Sequence, residues 1–189
     1  MQLEFDDAEH DHAPARTIAL IGLRGSGKTT VGRRLASRLA LPFIDLDTRT
    51  PGFAGEASVA EVFAKQGEAA FRRAETRALD AALREPASVL ALGGGTPTAP
   101  GAAEALRRAR DAGTVIIVYL RADGAALRSR LANASHEHRP SLTGKGTLDE
   151  IEHLLAARDP LYLSLATHVV EVAASDASRV ALFIAAKLM

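Results

Sequence analysis

Eight consecutive residues, Gly22-Leu23-Arg24-Gly25-Ser26-Gly27-Lys28-Thr29, satisfy the spacing G-x-x-x-x-G-K-[ST] at every fixed position. Such a run does one kind of chemistry well: it holds a chain of phosphates. The glycines let successive backbone N–H groups turn inward around phosphate oxygens. Lys28 reaches the β- and γ-phosphates as a mobile point charge. The Thr29 hydroxyl completes a Mg2+ shell that phosphate oxygens and waters otherwise fill. Only four of the 23 basic residues are lysine, and one of them stands at this position. The buried-strand run TIALI (17–21) precedes the loop, and a helical pattern with Val31, Leu35 and Leu39 follows it. Strand, loop and helix in that order are the setting in which the motif binds phosphate, with the helix dipole adding positive charge. Gly22, Arg24, Gly25, Ser26, Gly27, Lys28, Thr29 and Thr30 are therefore expected to bind a nucleotide.

Other polar residues fall where such a site would need them. PFIDLD (42–47) reads as a short strand ending in Asp45 and Asp47. Alternation along an extended segment puts both carboxylates on the same side. One then orients Mg2+ through water, and the other accepts a proton from an incoming hydroxyl. Each aspartate alone reads as a turn or helix cap; the pair beside a phosphate loop favours chemistry. Gly93-Gly94-Gly95 closes the run SVLAL (88–92) and permits close backbone approach to a ligand. Arg72 and Glu75 share a helix face, and by themselves they read as a surface ion pair of little worth. Arg139 precedes a proline in the polar stretch 134–147, which reads as a mobile loop or lid. A cation there stabilises charge on a transferring phosphoryl group. Arg158 closes an expected helix, where any cation is favourable. Arg130 either stacks on an adenine or faces solvent.

The elements that must carry these residues are legible from hydrophobic pattern. SVLAL, TVIIVYL (114–120) and THVVEV (167–172) join the first two runs as strands. Ser58 and Glu61 form a capping box that opens a helix, and a longer helix covers about 68–83. Further helices follow Pro100-Gly101, run from Asp123 to about Asn133, and open at a second capping box, Thr147 and Glu150, ending near Arg158. The last spans Ala177–Leu188. Five strands alternating with helices imply an α/β fold with a parallel sheet covered on both faces. Ligands in such sheets sit beyond the carboxyl ends of the strands, where all the polar residues above fall.

Composition bounds the function. The 189 residues suit one domain (16–189) behind an acidic segment, 1–15, with five acids and no basic residue. A net charge of zero excludes nucleic-acid or membrane binding driven by bulk charge. The absence of cysteine excludes disulfides, thiolate metal sites and a cysteine nucleophile. No apolar run approaches the roughly 20 residues of a membrane span. A monomeric cytoplasmic protein with small-molecule ligands is expected.

Taken as an ordered set, these residues resemble a shikimate kinase from about Arg16 to Leu188. The set comprises GLRGSGKTT, DLD at 45–47, GEAAFRRAE at 67–75, LGGGTPTAPG at 92–101, RPSL at 139–142 and AARDPLY at 156–162. The resemblance implies the P-loop, nucleoside-monophosphate-kinase-like fold, with a five-stranded parallel sheet of order 2-3-1-4-5, a substrate-binding segment at about 46–75 and a lid at about 134–147. It also implies transfer of the ATP γ-phosphate to the 3-hydroxyl of shikimate. Asp47 would hold the acceptor hydroxyl and act as base, and Arg72, Arg158, Gly94 and Gly95 would bind the acceptor. Asp45 would lie in the second shell of Mg2+, Arg139 would bridge the phosphates, Arg130 would pack on adenine and Glu75 would orient Arg72. Thr50-Pro51 stands where the family commonly has an apolar residue and glutamate, so Glu75 carries more of the orienting task and the proline stiffens the segment. Two alternatives remain at this point. One is another small-molecule kinase of this fold, gluconate kinase-like or nucleotide kinase-like; a neutral acceptor would leave Arg72 and Arg158 without an anion. The other is a non-catalytic ligand sensor, which would need a DNA-binding module that the acidic segment does not supply.

Overall fold

The computed structural model describes residues 16–133, 149–172 and 176–188. The acidic segment, the 134–147 stretch with Arg139, and Thr147 of the second capping box lie outside the described residues. Five strands, β1 (Thr17–Ile21), β2 (Phe43–Asp45), β3 (Val89–Ala91), β4 (Val115–Arg121) and β5 (His168–Glu171), form one sheet of order β2-β3-β1-β4-β5. Every pairing is parallel. The expected order 2-3-1-4-5 is therefore the observed one. All five residues of β1 are buried, as are six of the seven in β4. Strands covered on both faces have no polar alternation, which is why they read as unbroken apolar runs.

Helices α1 (Lys28–Leu39), α2 (Leu46–Phe53), α3 (Val59–Ala82), α4 (Ala102–Asp111), α5 (Gly124–Asn133), α6 (Asp149–Leu165) and α7 (Ala177–Leu188) flank the sheet. α1 packs on α7, while α4 packs on β4 and α6. α1 buries Val31 and Leu35, two of the residues that marked it as amphipathic. The core is aliphatic, built from residues such as Leu20, Leu35, Leu90, Ile117 and Leu120, none of them exposed.

Two boundaries differ from expectation. The second strand stops at Asp45, and Asp47 lies in the first turn of α2. Asp45 is extended (φ −100°, ψ 113°) and its side chain accepts the Asp47 N–H, so a local cap ends the strand early. The helix expected to end near Arg158 continues through Pro160 to Leu165. Burial of Tyr162 and Leu165, both fully inaccessible, outweighs the one backbone bond that proline removes. Pro51 likewise sits inside α2, where Thr50 bonds its hydroxyl back to the Leu46 carbonyl at 2.9 Å.

Ser58 caps its helix as expected, with Oγ accepting the Glu61 N–H at 3.2 Å, while the Glu61 carboxylate meets the Ser58 hydroxyl at 3.3 Å. The segment it opens meets the longer helix at Gly67, whose φ of 77° and ψ of 176° interrupt α3. That conformation is essentially confined to glycine, whereas Gly52 in α2 has an ordinary φ. A methyl group at either position would meet nothing within 4 Å. Gly67→Ala is therefore expected to cost about 1–3 kcal/mol through backbone strain alone. Gly52→Ala is expected to gain about 0.4–1 kcal/mol by restricting the unfolded chain. Urea denaturation of the two variants reads these opposite signs directly.

Candidate active site

The phosphate-binding loop joins β1 to α1. At Gly22, with φ of 147°, a Cβ would stand 2.6 Å from the Leu120 carbonyl oxygen, so β4 presses directly on the start of the loop. The Lys28 ammonium is buried and donates to the carbonyls of Gly22 and Leu23, both at 2.9 Å. It thereby ties the end of the loop back to its beginning. Thr29 Oγ1 donates to Asp45 Oδ2 at 3.0 Å, and Asp45 Oδ1 accepts the Asp47 N–H at 3.2 Å. One carboxylate thus fixes the start of α1 against the start of α2.

A cavity of about 600 Å3 opens here, lined by residues 24–30 of the loop, Asp45, Asp47 and Gly94. Asp45 and Asp47 do face one site, as expected, although a helix cap rather than strand alternation puts them there. Arg130 forms part of the wall. Its guanidinium donates to the Gly25 carbonyl at 3.4 Å and the Val172 carbonyl at 3.0 Å, bridging the loop and the end of β5.

The glycine triplet organises the other end. A Cβ at Gly93 would stand 2.5 Å from Asp47 Oδ1, 2.8 Å from Thr96 Oγ1 and 3.0 Å from Glu75 Oε1. At Gly94 it would stand 3.0 Å from the Arg24 backbone nitrogen, and at Gly95 it would overlap the Arg72 guanidinium. The triplet was expected to admit a ligand; in the structure each glycine first admits a different part of the protein. The Gly94 carbonyl accepts from Arg158 Nη1 at 2.9 Å and from the Tyr162 hydroxyl. Arg72 and Arg158 do not line the cavity; Arg158 bonds to the carbonyl of its wall residue Gly94, and Arg72 stands against the next residue, Gly95.

Arg72 and Glu75 are not a surface pair. The Glu75 side chain is 2% exposed and that of Arg72 14%, with Nη1 and Oε2 2.6 Å apart. Burial of a helix face that sequence could only place, not cover, accounts for the difference. Arg72 also pairs with Glu68 at 3.0 Å, and Thr96 donates its hydroxyl to Glu75 at 2.7 Å. Burial pushes the Glu75 carboxyl above its ordinary range, although the Thr96 hydroxyl and the Arg72 charge pull it down. Arg158 is likewise not a helix-end cation, since α6 continues well past it. Thr96 and Tyr162 were not singled out as site residues, yet both lie within motifs already recognised, GGGT and RDPLY.

A family model described as shikimate kinase matches residues 24–188. The chain belongs to the shikimate kinase family. It is 41% identical over 161 residues to a shikimate kinase of Caulobacter vibrioides, covering 84% of this chain and 76% of that protein. A shikimate kinase of Mycobacterium avium is 40% identical over 175 residues, 92% of this chain and 94% of the other. Among solved structures, the shikimate kinase from Acinetobacter baumannii in complex with shikimate matches with a TM-score of 0.81 and 33% identity, over 92% of this chain and 93% of that one. Members of the shikimate kinase family are phosphotransferases with an alcohol acceptor and ATP as donor, and the fold described above is the P-loop kinase fold. Among the described residues no helix is long and apolar enough to cross a membrane.

The raised Glu75 carboxyl makes stability respond to pH. The folded chain holds this proton more readily than the unfolded chain, so the group's contribution to stability is full below the ordinary glutamate range. It is lost as pH rises through the folded value. Glu75→Gln removes that dependence. Between about pH 4 and pH 8, the melting temperature of the variant relative to the parent is therefore expected to rise. A fall in that relative melting temperature with pH would instead show that Arg72 and Thr96 outweigh burial.

Proposed function

We propose that this chain transfers the γ-phosphoryl group of ATP to the 3-hydroxyl of shikimate, with Mg2+. The observation that carries the proposal is the placement of two guanidinium groups against adjacent residues, Arg72 at Gly95 and Arg158 at Gly94, while Asp47 stands against Gly93 beside the phosphate-binding loop. A small acceptor with a carboxylate at one end and a hydroxyl at the other suits that spacing of charges. Arginine forks bind carboxylates in bidentate fashion.

The division of labour follows from the residues. Loop N–H groups and Lys28 hold the β- and γ-phosphates, with Gly22, Arg24, Gly25, Ser26, Gly27, Thr29 and Thr30 forming the cradle. Arg130 packs on adenine. Arg72 and Arg158, with Gly94 and Gly95, hold the acceptor carboxylate and ring hydroxyls, and Glu75 orients Arg72. Asp47 accepts the proton of the reacting hydroxyl, whose oxygen bonds to the γ-phosphorus as the bond to the bridging oxygen of ADP breaks. Arg139, carried over from the family's motif, stabilises charge on the transferring group.

The Thr29 hydroxyl and Asp45 carboxylate are hard oxygen donors suited to Mg2+, Asp45 through water. Among the described residues there is no cluster of three or more acids or histidines. That sparse donor set fits an ion held chiefly by phosphates and water. When bound, Mg2+ supplies neutralisation of phosphate charge. The proposal includes a monomer as the acting unit, working in the cytoplasm, where ATP and Mg2+ are at hand.

Turnover of shikimate, gluconate and nucleoside monophosphates by the purified chain tests the proposal, and no phosphorylation of shikimate would refute it. Asp47→Asn is expected to lower kcat by about 10²–10⁴-fold. Calorimetric ATP affinity should stay near that of the parent, because the carboxylate acts on the acceptor. Near-normal turnover would remove Asp47 from the base role.

A further inference from the structure

Asp159 follows Arg158 in α6 and belongs to none of the groups assigned above. Its carboxylate is gripped by β4. Arg121 Nε donates to Oδ1 at 2.9 Å and Arg121 Nη2 to Oδ2 at 2.8 Å, a two-pronged contact. The Tyr119 hydroxyl donates to Oδ1 at 2.7 Å. Tyr119 and Arg121 are two apart in a strand, so their side chains leave the same face and converge on one acceptor. Tyr162, three residues further along α6, sets its ring edge-on to Tyr119 with centroids 5.3 Å apart and donates its hydroxyl to the Gly94 carbonyl. That carbonyl also accepts from Arg158.

We infer that Asp159, clamped by Arg121 and Tyr119, is a positioning residue that sets where Arg158 meets the acceptor carboxylate. The inference rests on the proposed acceptor site. A long helix bearing one binding arginine needs a fixed rotation and height, and hydrophobic contact alone leaves both adjustable. A bidentate ion pair with a third hydrogen bond is directional. It is anchored on the strand whose Leu120 carbonyl abuts the phosphate-binding loop. The clamp therefore references Arg158 to the same strand end that positions the phosphates. Exposed ion pairs contribute little to stability, and the Arg121 side chain is 41% exposed. The expected consequence of breaking the clamp lies in acceptor binding more than in folding.

Asp159→Asn keeps the shape and removes the paired charge. The KM for shikimate is expected to rise about tenfold, with kcat and the KM for ATP nearly unchanged. In an Arg158→Met background the same substitution should add nothing, because the group it positions is gone. Arg121→Gln, at a more exposed position, should reproduce the shikimate KM effect if Asp159→Asn yields little folded protein. An unchanged shikimate KM in both clamp variants overturns the inference. So does an equal loss in kcat and ATP affinity, or a KM penalty that persists without Arg158. Absence of shikimate turnover by the parent chain is a separate result, and it would overturn the proposed function and this inference together.

Discussion

No side chain fits at Gly93, Gly94 or Gly95, and the geometry of the site follows from that exclusion. The carboxylates of Asp47 and Glu75 and the Thr96 hydroxyl close on the first glycine, the phosphate-binding loop on the second and Arg72 on the third. A backbone without side chains lets parts from α2, α3, the β1–α1 loop and α6 approach one short segment of chain. A Cβ at Gly93 or Gly95 would displace a charged side chain, and one at Gly94 would press on the backbone of the phosphate-binding loop. Chemical steps depend steeply on placement, and a shift of about 1 Å costs up to roughly 10²-fold in rate.

The charges brought together there are not arranged for stability. Glu75 is almost wholly buried, and burial pushes its carboxyl up despite two partners. Desolvation of such a pair commonly offsets much of its Coulombic attraction. A pair that contributes little to folding still restricts Arg72 to one orientation, which an anion-binding site requires. Zero net charge over the chain is compatible with this, because recognition depends on a few cations placed locally rather than on their sum.

Much of this was legible beforehand, and the exceptions have physical causes. Buried strands, the loop motif and the Ser58 cap are local patterns, and they appear where expected. α2 was not anticipated, and the strand was carried through to Asp47, because Asp45 caps its own neighbour, a choice between two local states that composition does not decide. α6 ran beyond Pro160 because buried Tyr162 and Leu165 override a local breaker. The standing of Arg72–Glu75 was underestimated because helix spacing places two residues on one face without saying what covers it. Contacts between Arg121 and Asp159 span 38 residues of sequence, and no local signal pairs them.

β4 unites the two halves of the site. It pairs along its length with β1, the strand that ends in the phosphate-binding loop, with Tyr119 opposite Ile21. Its Leu120 carbonyl sets the approach of Gly22, and the side chains on either side of Leu120 hold α6. The phosphate-binding loop and α6 are thus both referenced to the end of one strand. The two helical segments joined at Gly67 have no comparable tie to that strand among the described contacts. On the proposed function, alignment of phosphate and carboxylate is therefore built into the sheet through that strand.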